Sequence, residues 1–223
     1  MTTTDSPSAD RPTVRILIFS ASLRADSLNT KLARIVADHL RGRGVKVDLA
    51  SMRDFDCPSY DGDRESAEGL PAGATELHRR LGANDAFVIV SPEYNAAMPG
   101  VLKNAIDWTS RFRPQPFDSR HGLLLSASPS LAGGNRGLWS LRVPLEHLGA
   151  RIYPDMFSLA MAHKAFDGDR LADASLHQRL ERTLDNFAEL VEATIHYPCI
   201  KRAWVEFLGE PPGEAGDRVD TRT

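Results

Sequence analysis

Long apolar runs are missing from this chain of 223 residues. No stretch approaches the roughly 20 residues that a helix needs to cross a bilayer, so no membrane span is expected. Cysteine is scarce: Cys57 and Cys199 are the two, far apart, with no Cys-x-x-Cys pair and no Cys/His cluster at metal spacing. That argues against a disulfide framework, a dithiol centre or a zinc site. The seven histidines are scattered, and His163 and His177 read as surface or satisfied core residues rather than ligands. Charge of one sign is not in excess: 27 Lys and Arg against 30 Asp and Glu leave a net charge of −3. Nothing in that balance favours nucleic acid or an anionic membrane as partner. Met1 to Arg11 have no apolar core of the kind a signal peptide carries, and they read as a disordered lead. The expected location is therefore the cytoplasm.

What is present is an ordinary globular composition, 42% hydrophobic and 26% charged, in a chain long enough for a full core. The spacing predicts alternating strands and helices. Strands are expected at Val14–Ser20, Val45–Ala50, Ala86–Val90, Leu123–Leu125 and Arg151–Asp155. Helices are expected at Leu28–Arg41, Gly73–Leu81 and Gly100–Arg111, then around Leu138, Leu141, Val143 and Leu145, and finally at Leu171–His196 with Leu176, Leu180, Leu184, Phe187 and Leu190 inward. Alternation of this kind favours a parallel sheet covered on both faces. Met52 to Pro71 reads as a long polar loop. One domain is expected over 13–197, between the lead at 1–12 and an extension at 198–223. Ile200, Trp204, Val205, Phe207 and Leu208 make the start of that extension apolar, so it is expected to dock on its own domain or on a partner subunit. Pro211 to Thr223 read as disordered.

Three loops carry the chemistry. The first, Ser20-Ala21-Ser22-Leu23-Arg24-Ala25-Asp26-Ser27-Leu28-Asn29, joins a strand to a helix N-terminus. Free N–H groups and the helix dipole make such a place an anion site. Hydroxyls and an arginine fork suit phosphate. The second, Ser91-Pro92-Glu93-Tyr94-Asn95, leads to Pro99 and Gly100 at a helix start. Its aromatic and amide suit a flat, hydrogen-bonding ligand. The third runs from Ser126 through Gly133-Gly134 to Arg136, and its glycines allow close backbone approach. Each loop alone also reads as a turn or cap, with Ser27 or Asn29 an ordinary N-cap. Together they follow three strands at one end of one sheet, where ligands of open α/β sheets bind.

At this point the chain resembles the NADPH-dependent FMN reductase family, from about Val14 to Val191. The first loop is similar to the family's Gly-Ser-Leu-Arg-x-x-Ser-x-Asn, with Ala21 in place of the glycine. The second matches Pro-Glu-Tyr-Asn and the following Pro-Gly-x-Leu-Lys-Asn-Ala-Ile-Asp-Trp nearly residue for residue. The third resembles the family's Ser-rich Gly-Gly turn. The resemblance implies a flavodoxin-like, doubly wound five-stranded parallel sheet of order 2-1-3-4-5. It implies that Ser22, Arg24, Ser27 and Asn29 hold the FMN phosphate. Pro92, Glu93, Tyr94 and Asn95 would wrap the isoalloxazine, partly through backbone groups, with Ser126 and Gly134 beside it.

The implied activity is FMN-dependent transfer from NADPH or NADH to a small acceptor such as a quinone, azo compound or free flavin. A homodimer or homotetramer is implied as well. No side-chain acid or base is obligatory for it, because the flavin carries the redox chemistry. Two other readings stand beside this one: an FMN electron carrier and a redox-sensing interaction protein, both without nicotinamide turnover. The chain lacks the Thr/Ser-x-Thr-Gly-x-Thr phosphate loop of flavodoxins and a strongly acidic docking surface, which weighs against the carrier.

Overall fold

The computed structural model describes residues 13–196. The expectations for 1–12 and 198–223, including Cys199 and the apolar start of the extension, lie outside the described residues. Strands β1 (Arg15–Ser20), β2 (Lys46–Ser51), β3 (Ala86–Val90), β4 (His121–Ala127) and β5 (Arg151–Ile152) form a parallel sheet of order β2-β1-β3-β4-β5. The helices are α1 (Leu28–Gly42), α2 (Gly62–Glu68), α3 (Ala72–Ala83), α4 (Gly100–Thr109), α5 (Asn135–His147) and α6 (Ala174–His196). Strand order and helix placement are those of the flavodoxin-like doubly wound fold.

The two-residue period of the strands splits the core into two layers. Ile16, Ile18, Val88, Leu123 and Leu125 point to one face, where Leu32, Val36 and Leu40 of α1 meet Leu180, Leu184 and Phe187 of α6. Leu17, Phe19, Phe87, Ile89 and Leu124 point to the other. There Leu77 and Leu81 of α3, Leu102 and Ile106 of α4, and Leu138, Leu141 and Leu145 of α5 cover them. Because β1, β3 and β4 are buried on both faces, their sequences read as nearly continuous apolar runs rather than alternating ones.

Four expectations are corrected. The fifth strand is broken. Arg151–Ile152 pairs with the start of β4, and the chain then swings out and returns as β6 (Phe157–Leu159) beside Leu125–Ala127. Pro154 lies in the gap, and without an N–H it cannot extend the ladder. The supposed loop after β2 holds a 3-10 turn, Met52–Phe55, with Met52 and Phe55 in the core, followed by α2. Helix α6 starts at Ala174, three residues later than expected, because Leu171 belongs to a hairpin of β7 (Phe166–Asp167) and β8 (Arg170–Leu171). Asp173 then accepts the Ser175 and Leu176 N–H groups at 2.8 and 3.1 Å, as a helix N-cap does. Finally, Leu190 is exposed rather than inward. The apolar stripe continues through Val191 at helical spacing, which leaves Leu190 on the flank.

Candidate flavin site at the carboxyl ends of the strands

Loop one leaves β1 with Ala21 N–H bonded to the carbonyl of Val90 at 3.0 Å. Ala21 is fully buried against the α3–α5 face and is not among the positive-φ residues, so this position does not call for glycine. Ser22 Oγ accepts the Arg24 N–H at 3.3 Å. Ser27 caps α1, accepting the N–H groups of Asn29 and Thr30 at 3.2 and 3.4 Å. Both hydroxyls act as acceptors toward the backbone, which leaves each its own proton to donate. Arg24 is exposed beside them.

Asn29 has a partner within the chain. Its carboxamide nitrogen donates to the Ala127 carbonyl at 2.9 Å, and its oxygen accepts the Ala127 N–H at 2.9 Å. The side chain is buried and ties loop one to β4, and the second N–H of its carboxamide takes no part in these two bonds. Ser126 is buried as well. Its Oγ is fully buried, has no partner among the described residues, and lies directly beneath Gly134, where a Cβ would collide with it. Gly134, at φ 86°, ends loop three as the left-handed N-cap of α5.

Loop two is a miniature hairpin. Tyr94 and Ala97 exchange both backbone bonds, at 2.9 and 3.0 Å, around Asn95 and Ala96 at φ 52° and 62°. Two successive positive φ values define a type I′ turn, which favours asparagine first and strains alanine second. The N–H groups of Asn95 and Ala96 find no acceptor among the described residues. Tyr94 is 48% exposed. The stem is locked below. Glu93 Oε1 accepts Arg136 Nη2 at 2.8 Å and Oε2 accepts the Gly137 N–H at 3.0 Å, on the first turn of α5. Burial pushes the Glu93 carboxyl up, but the Gly137 N–H and the Arg136 guanidinium prevail and hold it below the usual value. A side chain at Gly137 would press on Glu93 Cβ at 3.0 Å. The Glu93 carboxylate is thus a brace, and the backbone, Tyr94 and the exposed Asn95 are what the loop presents.

Sequence reasoning missed two features. Arg53, just past β2, donates Nη2 to the Leu23 carbonyl of loop one at 2.8 Å. Asn104 and Trp108 of α4, inside the Lys-Asn-Ala-Ile-Asp-Trp stretch, hold residues 57–60: Asn104 accepts the Tyr60 N–H and donates to Cys57 and Pro58 carbonyls, and Trp108 Nε1 donates to Pro58. The spacing of four on one helix face signals such a shared task. Among the described residues, no group of three or more His, Cys, Asp or Glu side chains is placed to hold a metal, and no helix is long and apolar enough to cross a membrane.

Hydroxyl donors and a guanidinium at a helix N-terminus, beside a rigid hairpin with free N–H groups, define an α/β protein with a site suited to a nucleotide bearing a phosphate and a flat ring. The chain belongs to the NADPH-dependent FMN reductase family, whose pattern matches residues 14–164. It is 36% identical over 140 residues to "Quinone reductase" of Escherichia coli (strain K12), covering 62% of this chain and 73% of that one. It is 33% identical over 173 residues to "NAD(P)H-dependent FMN reductase PA1204" of Pseudomonas aeruginosa, covering 77% and 91%. Among solved structures it is similar to FerB, a flavoenzyme NAD(P)H:(acceptor) oxidoreductase from Paracoccus denitrificans. That likeness has a TM-score of 0.69 at 26% identity and covers 81% of this chain and 98% of that one.

Proposed function

We propose that this protein is an FMN-dependent NAD(P)H oxidoreductase that passes reducing equivalents to a small acceptor of the quinone, azo or flavin type. The observation that carries the reading is the juxtaposition of the phosphate-suited loop at α1 with the braced Tyr94–Ala97 hairpin at the same end of the sheet. The donor set fits FMN: Ser22 and Ser27 hydroxyls with Arg24 for the phosphate, and the backbone of Pro92 to Asn95 with Tyr94 for the ring system. The bound flavin supplies the hydride-accepting and electron-donating chemistry. The chain's part is to anchor and orient. The Glu93–Arg136–Gly137 brace keeps the hairpin N–H groups in fixed positions, where they can hydrogen-bond a ring edge without reorganising. Family membership supports the same activity.

A homodimer or homotetramer accompanies this reading. Trp139 and Val143 support it: they lie one turn apart on α5 and are 55% and 68% exposed. The cytoplasm is the location the reading implies.

The test is the visible spectrum of the purified protein with added FMN, followed by anaerobic NADPH and, separately, NADH. Bleaching of the bound flavin by a nicotinamide, and its return with a quinone, is the expected result. Bound flavin that neither nucleotide bleaches would favour an electron carrier or sensor. Arg24→Ala should raise the FMN dissociation constant about tenfold or more, the size expected for a lost charged hydrogen bond. The fold should be unchanged because Arg24 is exposed on a loop.

A further inference from the structure

Arg53 is the cation that loop one has gained from elsewhere in the chain. It sits in the 3-10 turn after β2, and its Nη2 donates to the Leu23 carbonyl at 2.8 Å, in the middle of the phosphate-suited loop. That is one of five N–H donors on a guanidinium. The side chain is exposed and has no carboxylate partner among the described residues. Its acidic neighbour Asp54 is engaged elsewhere, accepting the Ser51 N–H at 3.1 Å and Arg80 Nη2 at 3.3 Å. Asp26, on loop one itself, forms no ion pair with Arg53 or Arg24 among the described residues. Arg24 is exposed and likewise without an acidic partner.

Two guanidinium groups without acidic partners therefore belong to one strand-to-helix loop, Arg24 by sequence and Arg53 by its bond to the Leu23 carbonyl. The helix N-terminus that the loop leads into is itself positive. A dianion bound there gives both groups a partner. We propose that Arg53 is a second phosphate-binding residue, which with Arg24 clamps a phosphate monoester at the start of α1. This rests on the assignment of loop one to phosphate. The monoester is the 5′-phosphate of the flavin nucleotide, the ligand proposed for loop one.

The experiment is fluorescence titration of the flavin-free protein with FMN and with riboflavin, which lacks the phosphate, for the wild type, Arg53→Ala and Arg53→Lys. NADPH and NADH are compared as donors in the reconstituted proteins. Arg53→Ala is expected to weaken FMN binding about tenfold while leaving riboflavin unchanged, with Arg53→Lys recovering part of the loss. Unchanged flavin binding with a rise in KM confined to NADPH would overturn the clamp at loop one and assign Arg53 to the donor's phosphate instead. Equal losses for FMN and riboflavin would overturn the proposal and make Arg53 only a brace for Leu23. No change in flavin affinity or donor preference would overturn it too. A wild-type protein that binds FMN no better than riboflavin would refute the phosphate assignment of loop one itself, and Arg53 with it, which is a different result from an Arg53 variant that behaves as wild type.

Discussion

The carboxamide of Asn29 bonds both the N–H and the C=O of Ala127, 98 positions away. A residue of this type beside a phosphate-suited loop reads from the sequence as one more donor to ligand. In the structure it behaves as a strand residue would, completing a backbone pair at the end of β4. Removing it leaves two buried backbone groups without partners, which is costlier than losing a bond to water. Asn29→Ala should therefore destabilise the protein by about 1–3 kcal/mol in a urea titration. Arg24→Ala, by contrast, should leave stability unchanged and lower FMN affinity. An Asn29→Ala protein of wild-type stability would show that this tether is not needed. The Ser27 cap and the exposed Arg24 beside it were legible, because they depend on a local event, a strand turning into a helix. The contacts of Asn29 and Arg53 and the burial of Ser126 were not, since they depend on which distant backbone or side chain comes to lie beside them.

At the scale of elements, α4 holds more than its own face of the core. Leu102, Ala105 and Ile106 pack inward, Lys103 pairs with Asp107 at 2.7 Å, and Asn104 and Trp108 hold residues 57–60. The motif that gave the strongest resemblance is thus largely a fastening for the chain between the 3-10 turn and α2. Asn104→Ala removes three of those bonds. It should speed amide exchange or proteolysis across 56–62 with little change in FMN affinity, because the three site loops do not depend on Asn104. Protection there equal to wild type would mean that the Trp108 bond and the Tyr60–Trp108 ring contact suffice. The break between β5 and β6 belongs to this scale too. The sequence reads Arg151–Asp155 as one continuous strand. Only pairing with two separate stretches of β4 decided that the chain leaves the sheet and comes back.

Across the whole molecule, stability should fall in mild acid. His121 lies at the start of β4, nearly buried, with Nε2 3.1 Å from Thr194 Oγ1 near the end of α6. Burial, and then the neighbouring Arg151, push its pKa below the ordinary histidine value. The unfolded chain therefore takes up the proton first as pH falls. The contribution is fully present above the unfolded pKa of about 6.5 and is lost as pH drops from there through the lower folded value. A series of urea midpoints from pH 8 to pH 5 should decline more steeply for the wild type than for His121→Gln. Parallel curves would assign the acid sensitivity to other groups. Glu93, depressed by its partners, adds a loss of the same sign at lower pH, as its carboxylate takes up a proton.

The alternation of apolar runs and amphipathic stretches determined by itself that the chain makes a parallel sheet covered on both faces. It also determined that the loops after β1, β3 and β4 open at one end. Both follow from local periodicity and from the handedness of strand–helix–strand crossings, which leave few alternatives. The tertiary structure decided what each loop residue does there. Asn29 and Glu93 were drawn into the frame, by Ala127 and by Arg136 with Gly137, and Arg53 was brought to Leu23 across 30 positions. A polar side chain bonds to whatever the packed chain places within about 3 Å, and no local pattern in the sequence records that neighbour.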